Sequence, residues 1–508
     1  MRRKGTAFPL LPNIGVFALK PVVIPHVLYQ DFILQQFRLN FGPGIVIVNK
    51  DWPLITKLWM TDLSYLTSML RDLYSDRGPE PRDPASMLRS YLIFLMTNPE
   101  KGITEWINVM KRTPIYAILS GFNLHDIPGV GTFYDFINRL WIASGIHLKP
   151  KKQKKRKAKP KKGKKGEKAP TATPGRVKRL VSWMMRFATH QTVLPADRLF
   201  HFFQTQILSV SANLGLLGDP SALSTAGDGT PIVTAAYTRS KPTCTCHAQS
   251  LTDCNHPRIY SQPDCDSGWD SSREKYFNGF HLYMISAADS KHDLPLYPRL
   301  QPASRHDAVS LVISMIEFKQ RFKLGTVDKI LLDAAHDAEA IYLLLDHQHI
   351  EPFIDLNNRS KKNSATNGDI QISPTGVPIC PKGSPMKPNG FDQSQNRQKW
   401  RCSKSCGCST TKYGRTYHTH SIDNLRLFPK TVRGSEKWNL IYKRRTSIER
   451  SNKREKIDYK LEAGRHRSSM MWYMRVYGTM ICQHMDAWYS HTKELWKDLK
   501  QHILPSAA

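Results

Sequence analysis

The sequence IYKRRTSIERSNKREKIDYK, residues 441–460, decides how the rest of the chain is interpreted. Wound as an α-helix at about 100° per residue, it places Tyr442, Arg445, Glu449 and Lys456 within roughly 60° of one another. One carboxylate then lies in a stripe of cationic and hydrogen-bonding groups that extends for about four turns. Such a stripe suits a site that holds a metal ion beside a polyanion, although a solvated helix with surface ion pairs would show the same composition.

The spacing of these four residues resembles the YREK signature of bacterial insertion-sequence transposases of the DDE class. Tyr442, Arg445, Glu449 and Lys456 fit the pattern Tyr-x2-Arg-x3-Glu-x6-Lys at every gap. The resemblance implies that two aspartates upstream share a metal site with the glutamate. It also implies a bacterial protein of the cytoplasm that associates with the nucleoid.

Length and charge favour a large nucleic-acid-binding protein. A chain of 508 residues with a net charge of +32 can hold two or more domains and favours a polyanionic partner, nucleic acid before membrane. A merely basic, ribosome-like protein is the alternative. We find no apolar run long enough to span a membrane and, because prolines interrupt the amino-terminal segment, expect no secretory signal. The nine cysteines are too few for a disulfide scaffold, and their clustering favours metal.

Residues 1–148 are expected to form an all-α amino-terminal domain. The predicted helices cover 52–74, 84–96, 104–110, 114–119 and 132–142, and Asp83 followed by Pro84 is typical of a helix start. The segment GFNLHDIPGVGTFYDFINRLW, residues 121–141, resembles the helical domain with which the same transposases bind the ends of their element. A protein-interaction module would have a similar composition.

A lysine-rich linker is predicted at 149–175. Residues 149–168 hold thirteen basic residues and one glutamate, so they cannot form a core and are expected to stay extended. Such a segment binds phosphate backbone without sequence preference. A nuclear localisation signal has the same composition, but the bacterial resemblance argues against it.

Residues 176–465 are predicted to form an α/β catalytic domain. Asp228 lies in a short strand between two glycines, which indicates a close approach by a ligand or another backbone, although Gly-Asp-Gly also suits a simple turn. The hairpin predicted next is followed by a helix, a strand ending at Asp333, a helix and a strand. These elements cover 276–290, 294–304, 307–322, 328–333, 338–345 and 350–356. Their order resembles the ribonuclease-H-like fold of DDE transposases, a mixed sheet flanked by helices.

The resemblance implies that Asp228, Asp333 and Glu449 bind two Mg²⁺ or Mn²⁺ ions. Three hard oxygen ligands suit two divalent ions about 3.5–4 Å apart, which serve in-line displacement at phosphorus. It further implies that Tyr442, Arg445 and Lys456 contact phosphates near the transferred DNA end.

Three other acids compete for these positions. Asp337 and Asp346 lie near the second position, and Asp337 is expected inside the following helix. Glu455 competes for the third position but points about 140° away from Tyr442 on a helical wheel.

Two cysteine-rich insertions are expected at about 240–270 and 375–412. The second holds Cys380, Cys402, Cys406 and Cys408 in a segment that lacks core residues and suits a structural tetrahedral Zn²⁺, with reduced free thiols as the alternative. The first is a candidate second zinc knuckle or a loop with thiols. Its candidate ligands are Cys244, Cys246, His247, Cys254, His256 and Cys265.

The sequence therefore predicts a transposase that cuts double-stranded DNA at the terminal inverted repeats of its element and joins it to target DNA. Because two ends must be cut together, a homodimer is expected in the DNA complex. The carboxy-terminal segment, 466–508, is predicted to be helical, with Met471, Met474 and Met480 in a core. The rival hypotheses are an inactive DNA-binding relative that acts as a repressor or architectural protein, and a metal-dependent nuclease without strand transfer.

Overall fold

The computed structural model describes residues 20–41, 47, 49–142, 175–187, 193–238, 260–262, 264–357, 365–367, 369–411, 413–464 and 466–503. The lysine-rich segment 149–168 and all but Cys265 of the first cysteine cluster lie outside these residues. The chain divides into two compact units, Met1–Ile142 with Trp488–Ala508, and Ala143–Ala487. None of the helices in the described ranges is long and apolar enough to cross a membrane.

The described part of the first unit is helical. Its amino-terminal segment contains α1 (His26–Asn40), α2 (Trp52–Met60), α3 (Tyr65–Leu70), α4 (Pro84–Thr97), α5 (Ile103–Arg112), α6 (Pro114–Ser120) and α7 (Val130–Leu140). Asp83 caps α4 as predicted, because its carboxylate accepts hydrogen bonds from the backbone N–H groups of Ala85 and Ser86. The single helix predicted at 52–74 is wrong. Thr61 is extended, and Asp62 accepts from the N–H of Ser64 in the turn that separates α2 from α3.

The second unit begins with helices and then builds one six-stranded sheet. Its elements are α8 (Arg176–Phe187), α9 (Asp197–Phe202), a π-helical turn (Phe203–Leu208), α10 (Ser209–Asn213), β1 (Leu223–Val233), β2 (Asp266–Asp270), β3 (Lys275–Ala287), β4 (Pro295–Pro302), α11 (Asp307–Arg321), β5 (Val327–Leu332), α12 (Glu339–His347) and β6 (Glu351–Ile354). The strand order is β2-β3-β1-β5-β6, and β4 also pairs with β3. The pairs β1–β5 and β5–β6 are parallel, whereas β3 is antiparallel to β1, β2 and β4. The predicted hairpin and the alternation that follows it are confirmed; β2 was not predicted.

The second insertion, predicted at about 375–412, forms part of two small sheets whose strands lie between residues 365 and 420. They comprise β7 (Ala365–Asn367), β8 (Ile370–Ile372) and β9 (Pro378–Ile379), and β10 (Lys387–Asp392), β11 (Arg397–Arg401) and β12 (Thr416–His420). The expectation that this segment lacks core residues is wrong. Ile370, Ile372, Met386 and Trp400 are buried together with Cys380 and Cys402. Because this core is small, apolar burial can supply only part of the free energy that keeps the insertion folded, and other contacts must supply the rest.

Helices complete the unit after the insertion. They are α13 (Glu436–Tyr442), α14 (Thr446–Ile457), α15 (Ser469–Thr492) and, in the first unit, α16 (Leu499–Ile503). The continuous helix predicted over 441–460 is interrupted by a 3₁₀ turn at Lys443–Arg445. α14 packs against β1 and β3, whereas α11 packs against β1, β3 and β4. The predicted burial of Met471, Met474 and Met480 is confirmed.

Candidate active site

Two aspartates lie close to each other beside the parallel pairing of β1 and β5: Asp228 is in the middle of β1, and Asp333 directly follows β5. Ala226 of β1 pairs with Leu331 of β5. Asp228 and Asp333 each follow these partners by two residues, so they occupy equivalent positions on neighbouring strands. Because side chains two residues apart point to the same face of a strand, the register itself brings the two carboxylates together.

The carboxyl group of Asp228 is in an environment that disfavours its negative charge. Burial is the main cause, the nearby Asp307 and Asp333 add like charge, and together they raise the pKa of Asp228 to about 7. The hydrogen bond from the N–H of Gly229, 2.8 Å long, does not offset these effects. A bound cation would remove the like-charge repulsion, as expected of a carboxylate that serves as a metal ligand.

Asp333 is held by hydrogen bonds at the end of its strand. Its Oδ1 accepts from the backbone N–H of Ala335 at 3.1 Å and lies 2.6 Å from Nδ1 of His336. Burial acts to raise the pKa of Asp333, but His336 outweighs it and the pKa lies below its ordinary value. Asp333 therefore stays ionised more readily than Asp228, so the two carboxylates differ in how tightly they hold a proton.

The glycines on either side of Asp228 leave room for polar side chains from other elements. A Cβ at Gly227 would lie 2.7 Å from the hydroxyl of Tyr283, and one at Gly229 would overlap the carboxylate of Asp307 and the imidazole of His281. Nε2 of His281 is 2.9 Å from Oδ1 of Asp307. Gly-Asp-Gly predicted a close approach by a ligand or another backbone, or else a turn; in the structure side chains make the approach, and the strand continues without a turn.

Glu449 lies on α14, the helix that packs against β1. It is half exposed, and Oε1 is 2.6 Å from the guanidinium of Arg445, one helical turn away. The structure thus places Glu449 on an element next to the Asp228 strand and pairs it with a cation.

The other two residues of the YREK pattern also have partners within the chain. Tyr442 donates a hydrogen bond to the carbonyl of Leu332, immediately before Asp333, and stacks on Trp438. Nζ of Lys456 is 3.6 Å from Glu462. Through these partners, Tyr442 is connected to the end of β5 and Lys456 to the turn after α14.

One comparison decides the family. A family model described as a transposase DDE domain matches residues 228–482, about half of the chain. The chain belongs to the DDE transposase family. No match to a curated protein was found. The matched segment begins at Asp228 and includes Asp333, Glu449 and all four cysteines of the second insertion. Membership makes this protein a metal-binding transposase whose substrate is DNA.

The rival acids of this transposase have other surroundings. Asp337 does not lie inside α12 as expected but precedes it, and its carboxylate is fully buried against the guanidinium of Arg426, 2.6 Å away. Glu455 is buried in α14, and burial raises its pKa to about 8. Asp346 is exposed on α12. Asp337 and Glu455 are thus enclosed by protein, whereas the side chains of Asp333 and Glu449 are partly exposed and can be reached by a cation from solvent.

Sequence reasoning missed the polar side chains beneath the Asp228 strand: His281, Tyr283, Asp307 and His336. Asp307 is part of the carboxylate cluster, because its charge raises the pKa of Asp228. The one indication in the sequence was the pair of glycines around Asp228, which predicted that other atoms approach β1 closely. Nothing in the sequence said which residues they were.

The four cysteines of the second insertion form a compact group. Their sulfur atoms all lie within 4.8 Å of one another, and Sγ of Cys380 is 3.5 Å from Sγ of Cys406. Across the described ranges this is the one group of three or more His, Cys, Asp or Glu residues that meets this limit. Asp228, Asp333 and Glu449 do not meet this limit together.

Proposed function

We propose that this transposase cleaves DNA at the ends of an insertion sequence and joins the freed 3′-hydroxyl to target DNA, with Asp228, Asp333 and Glu449 as its metal ligands. The observation that carries the proposal is that Asp228 and Asp333 each follow the last pair of the parallel β1–β5 ladder by two residues, and that β1 packs against the helix that holds Glu449. Cut-and-paste chemistry and the bacterial origin rest on the YREK spacing.

The residues present fit two Mg²⁺ or Mn²⁺ ions. The raised pKa of Asp228, caused by burial and by neighbouring carboxylates, is the electrostatic sign of a site that needs positive charge. When bound, two such ions activate the attacking oxygen and stabilise the leaving oxygen of an in-line displacement at phosphorus. The chain itself holds Asp333 in place through His336 and Ala335, and presents Glu449 from a packed helix.

Tyr442, Arg445 and Lys456 are assigned to the phosphates of the transferred end. A guanidinium can bind a phosphate through two parallel hydrogen bonds, whereas an ammonium acts as a point charge. Arg445 must exchange Glu449 for phosphate to do so, and this exchange frees the glutamate for a cation. The substrate is double-stranded DNA, terminal repeats and target alike, and the active complex is a homodimer.

The test is cleavage and joining of a labelled DNA fragment that carries both ends of the element, with Mg²⁺ or Mn²⁺. We expect Asp333→Asn and Glu449→Gln to bind this DNA and not cut it, because each retains shape and loses charge. The matched controls Asp346→Asn and Glu455→Gln should cut like the wild type, because neither acid lies in the site.

The rival functions give different results. A wild type that binds the ends and never cuts with any divalent ion is the inactive relative. A wild type that cuts and never joins is a nuclease. If Asp333→Asn or Glu449→Gln cuts normally, the assignment of the acids is wrong.

We also propose that Cys380, Cys402, Cys406 and Cys408 bind one structural Zn²⁺. Burial alone would raise the pKa of Cys380, but the backbone N–H groups of Ser384 and Lys382 and the neighbouring thiols lower it to about 6, whereas burial and neighbouring thiols raise the pKa of Cys402 and Cys408 in the absence of a metal. A thiolate is the form that binds zinc. The ion would join the turn after β9 to the turn after β11. Because Cys380 and Cys402 also belong to the small core of the insertion, this link would stabilise that core.

Zinc content tests this second site. We expect one equivalent of Zn²⁺ from the second insertion, lost in Cys402→Ser and retained in the control Cys482→Ser, whose thiol is buried in α15. Equal zinc content in all three proteins would contradict the assignment.

A further inference from the structure

We propose that His336 and Tyr283 form a hydrogen-bonded relay that orients the carboxylate of Asp333 for divalent-cation binding. The inference rests on the proposed function, because it takes Asp333 as a metal ligand. Both residues are positioning residues, since neither touches the reacting atoms.

The relay is a chain of three side chains from three places in the fold. Asp333 follows β5, His336 lies in the 3₁₀ turn after it, and Tyr283 lies on β3. Nδ1 of His336 is 2.6 Å from Oδ1 of Asp333, and Nε2 of His336 is 3.0 Å from the hydroxyl of Tyr283. The imidazole and the phenol are both completely buried.

The chemistry of the three groups fixes the direction of the hydrogen bond to Asp333 and, when His336 is neutral, also the direction of the hydrogen bond with Tyr283. An ionised carboxylate only accepts, so Nδ1 of His336 must carry the proton that it donates to Asp333. In the neutral imidazole, Nε2 then accepts, and the hydroxyl of Tyr283 donates to it. Burial raises the pKa of Tyr283 well above its ordinary value, so the phenol keeps that proton.

The backbone is adapted to this arrangement. Tyr283 pairs with Gly229 across the β1–β3 ladder, and its hydroxyl reaches over Gly227. Any side chain at Gly227 would meet that hydroxyl at 2.7 Å. The glycine before Asp228 therefore leaves space for the relay behind the neighbouring ligand, Asp333.

The relay selects one of the two carboxylate oxygens. The hydrogen bonds from His336 and from the N–H of Ala335 both go to Oδ1 of Asp333. They hold the carboxylate through Oδ1, so under this proposal Oδ2 is the oxygen offered to a cation. Hydrogen bonds of this kind to metal ligands typically change metal affinity 10–100-fold.

The test is calorimetric titration of the purified full-length protein with Mn²⁺, in the absence of DNA, which measures the affinity for the ion. Tyr283→Phe removes one oxygen atom and with it the hydrogen bond to Nε2, so the imidazole of His336 loses one of the two contacts that hold its orientation toward Asp333. We expect Mn²⁺ to bind about 10-fold or more weakly in this variant and in His336→Leu. His336→Asn should recover much of the affinity, because its amide nitrogen takes the place of Nδ1 as donor to Asp333.

A matched control separates this role from general stability. Tyr297 is also fully buried, on β4, and its hydroxyl donates to Glu317 at 3.1 Å. Tyr297→Phe should lose similar stability and keep wild-type Mn²⁺ affinity. If Tyr283→Phe binds Mn²⁺ as tightly as Tyr297→Phe does, the relay is only structural and the proposal is overturned. Where His336→Leu does not fold, Tyr283→Phe decides.

Asp333→Asn distinguishes failure of the relay from failure of the site. It sets the level of Mn²⁺ binding elsewhere on the protein. If Asp333→Asn binds like the wild type, Asp333 is not a ligand and the proposed function loses its site. If Asp333→Asn loses binding while Tyr283→Phe and His336→Leu retain it, only the relay is refuted.

Discussion

Substituting Gly229 by alanine should destabilise the catalytic unit more than any other single methyl group added to β1. The new carbon would overlap the carboxylate of Asp307 and the imidazole of His281, which together fill the space over this glycine. These two side chains are themselves 2.9 Å apart, so neither can move without disturbing the other. At Gly229 the strand is also paired with β3, through Tyr283.

The neighbouring glycine supplies a scale for the effect. At Gly227 the closest approach of an added carbon is 2.7 Å to Tyr283 and 3.2 Å to Leu332, against about 3.4 Å for an ordinary contact. Overpacking of a close-packed core typically costs about 1–3 kcal/mol in free energy of unfolding. We therefore expect Gly227→Ala near the lower end of this range and Gly229→Ala at or above its upper end.

Hydrogen exchange along a urea series measures this free energy in peptides that cover residues 223–233. Gly175→Ala is the control in the same unit, because an added Cβ there meets nothing within 4 Å; its effect should stay within about 0.5 kcal/mol. In a double-mutant cycle, Asp307→Ala should reduce the cost of Gly229→Ala, because it removes one of the overlapping groups. A Gly229→Ala protein as stable as the wild type would refute the steric argument.

Two further predictions concern pH. Burial, together with Asp307 and Asp333, raises the pKa of Asp228 to about 7. Protons therefore compete with the cation below that pH, and the half-saturating Mg²⁺ concentration should fall about 10-fold per pH unit up to pH 7 and then level off. Asp307→Asn should lower the pH at which it levels off; an unchanged profile would contradict the like-charge argument. Burial likewise raises the pKa of Glu455 from 4.5 to about 8, so the contribution of its protonated form to stability is complete below pH 4.5 and is lost as the pH rises to about 8, by at most about 1.4 kcal/mol per unit. Glu455→Gln should flatten this dependence in urea unfolding; a wild-type slope in the variant would refute it.

The elements around Asp228 and Asp333 were predictable because their patterns are local. Alternating or continuous apolar runs marked the strands, and apolar residues at helical spacing marked α11 and α12. Once Asp228 and Asp333 were placed on neighbouring parallel strands, their proximity followed from the geometry of a sheet. The interruption at 443–445 was not predictable, because the residues of that turn are ordinary helix formers.

The insertion and the polar layer were less predictable, for different reasons. Strands such as β7 and β9 have only three and two residues, too few for a periodic signal, and KPNGFD of β10 contains the residues of a turn. The layer beneath β1 depends on pairing between distant segments. Tyr283 contacts His336 across 53 residues of sequence, and no spacing rule connects them.

The charged residues of the YREK pattern have different partners in the folded chain from those that their proposed function requires. The sequence presents this face as cations beside a carboxylate, whereas in the folded chain Arg445 is paired with Glu449 and Lys456 with Glu462. Under the proposed function, a DNA phosphate binds Arg445 and a divalent cation binds Glu449. Each of these ligands breaks the ion pair between Arg445 and Glu449, and so frees the other residue for its own ligand. Binding of the cation and of the DNA end must then reinforce each other, since each is stronger once the internal ion pair is broken. A face that is neutralised internally without DNA and open to both ligands with it would bind the cation less tightly in the free protein than in the complex with the correct substrate.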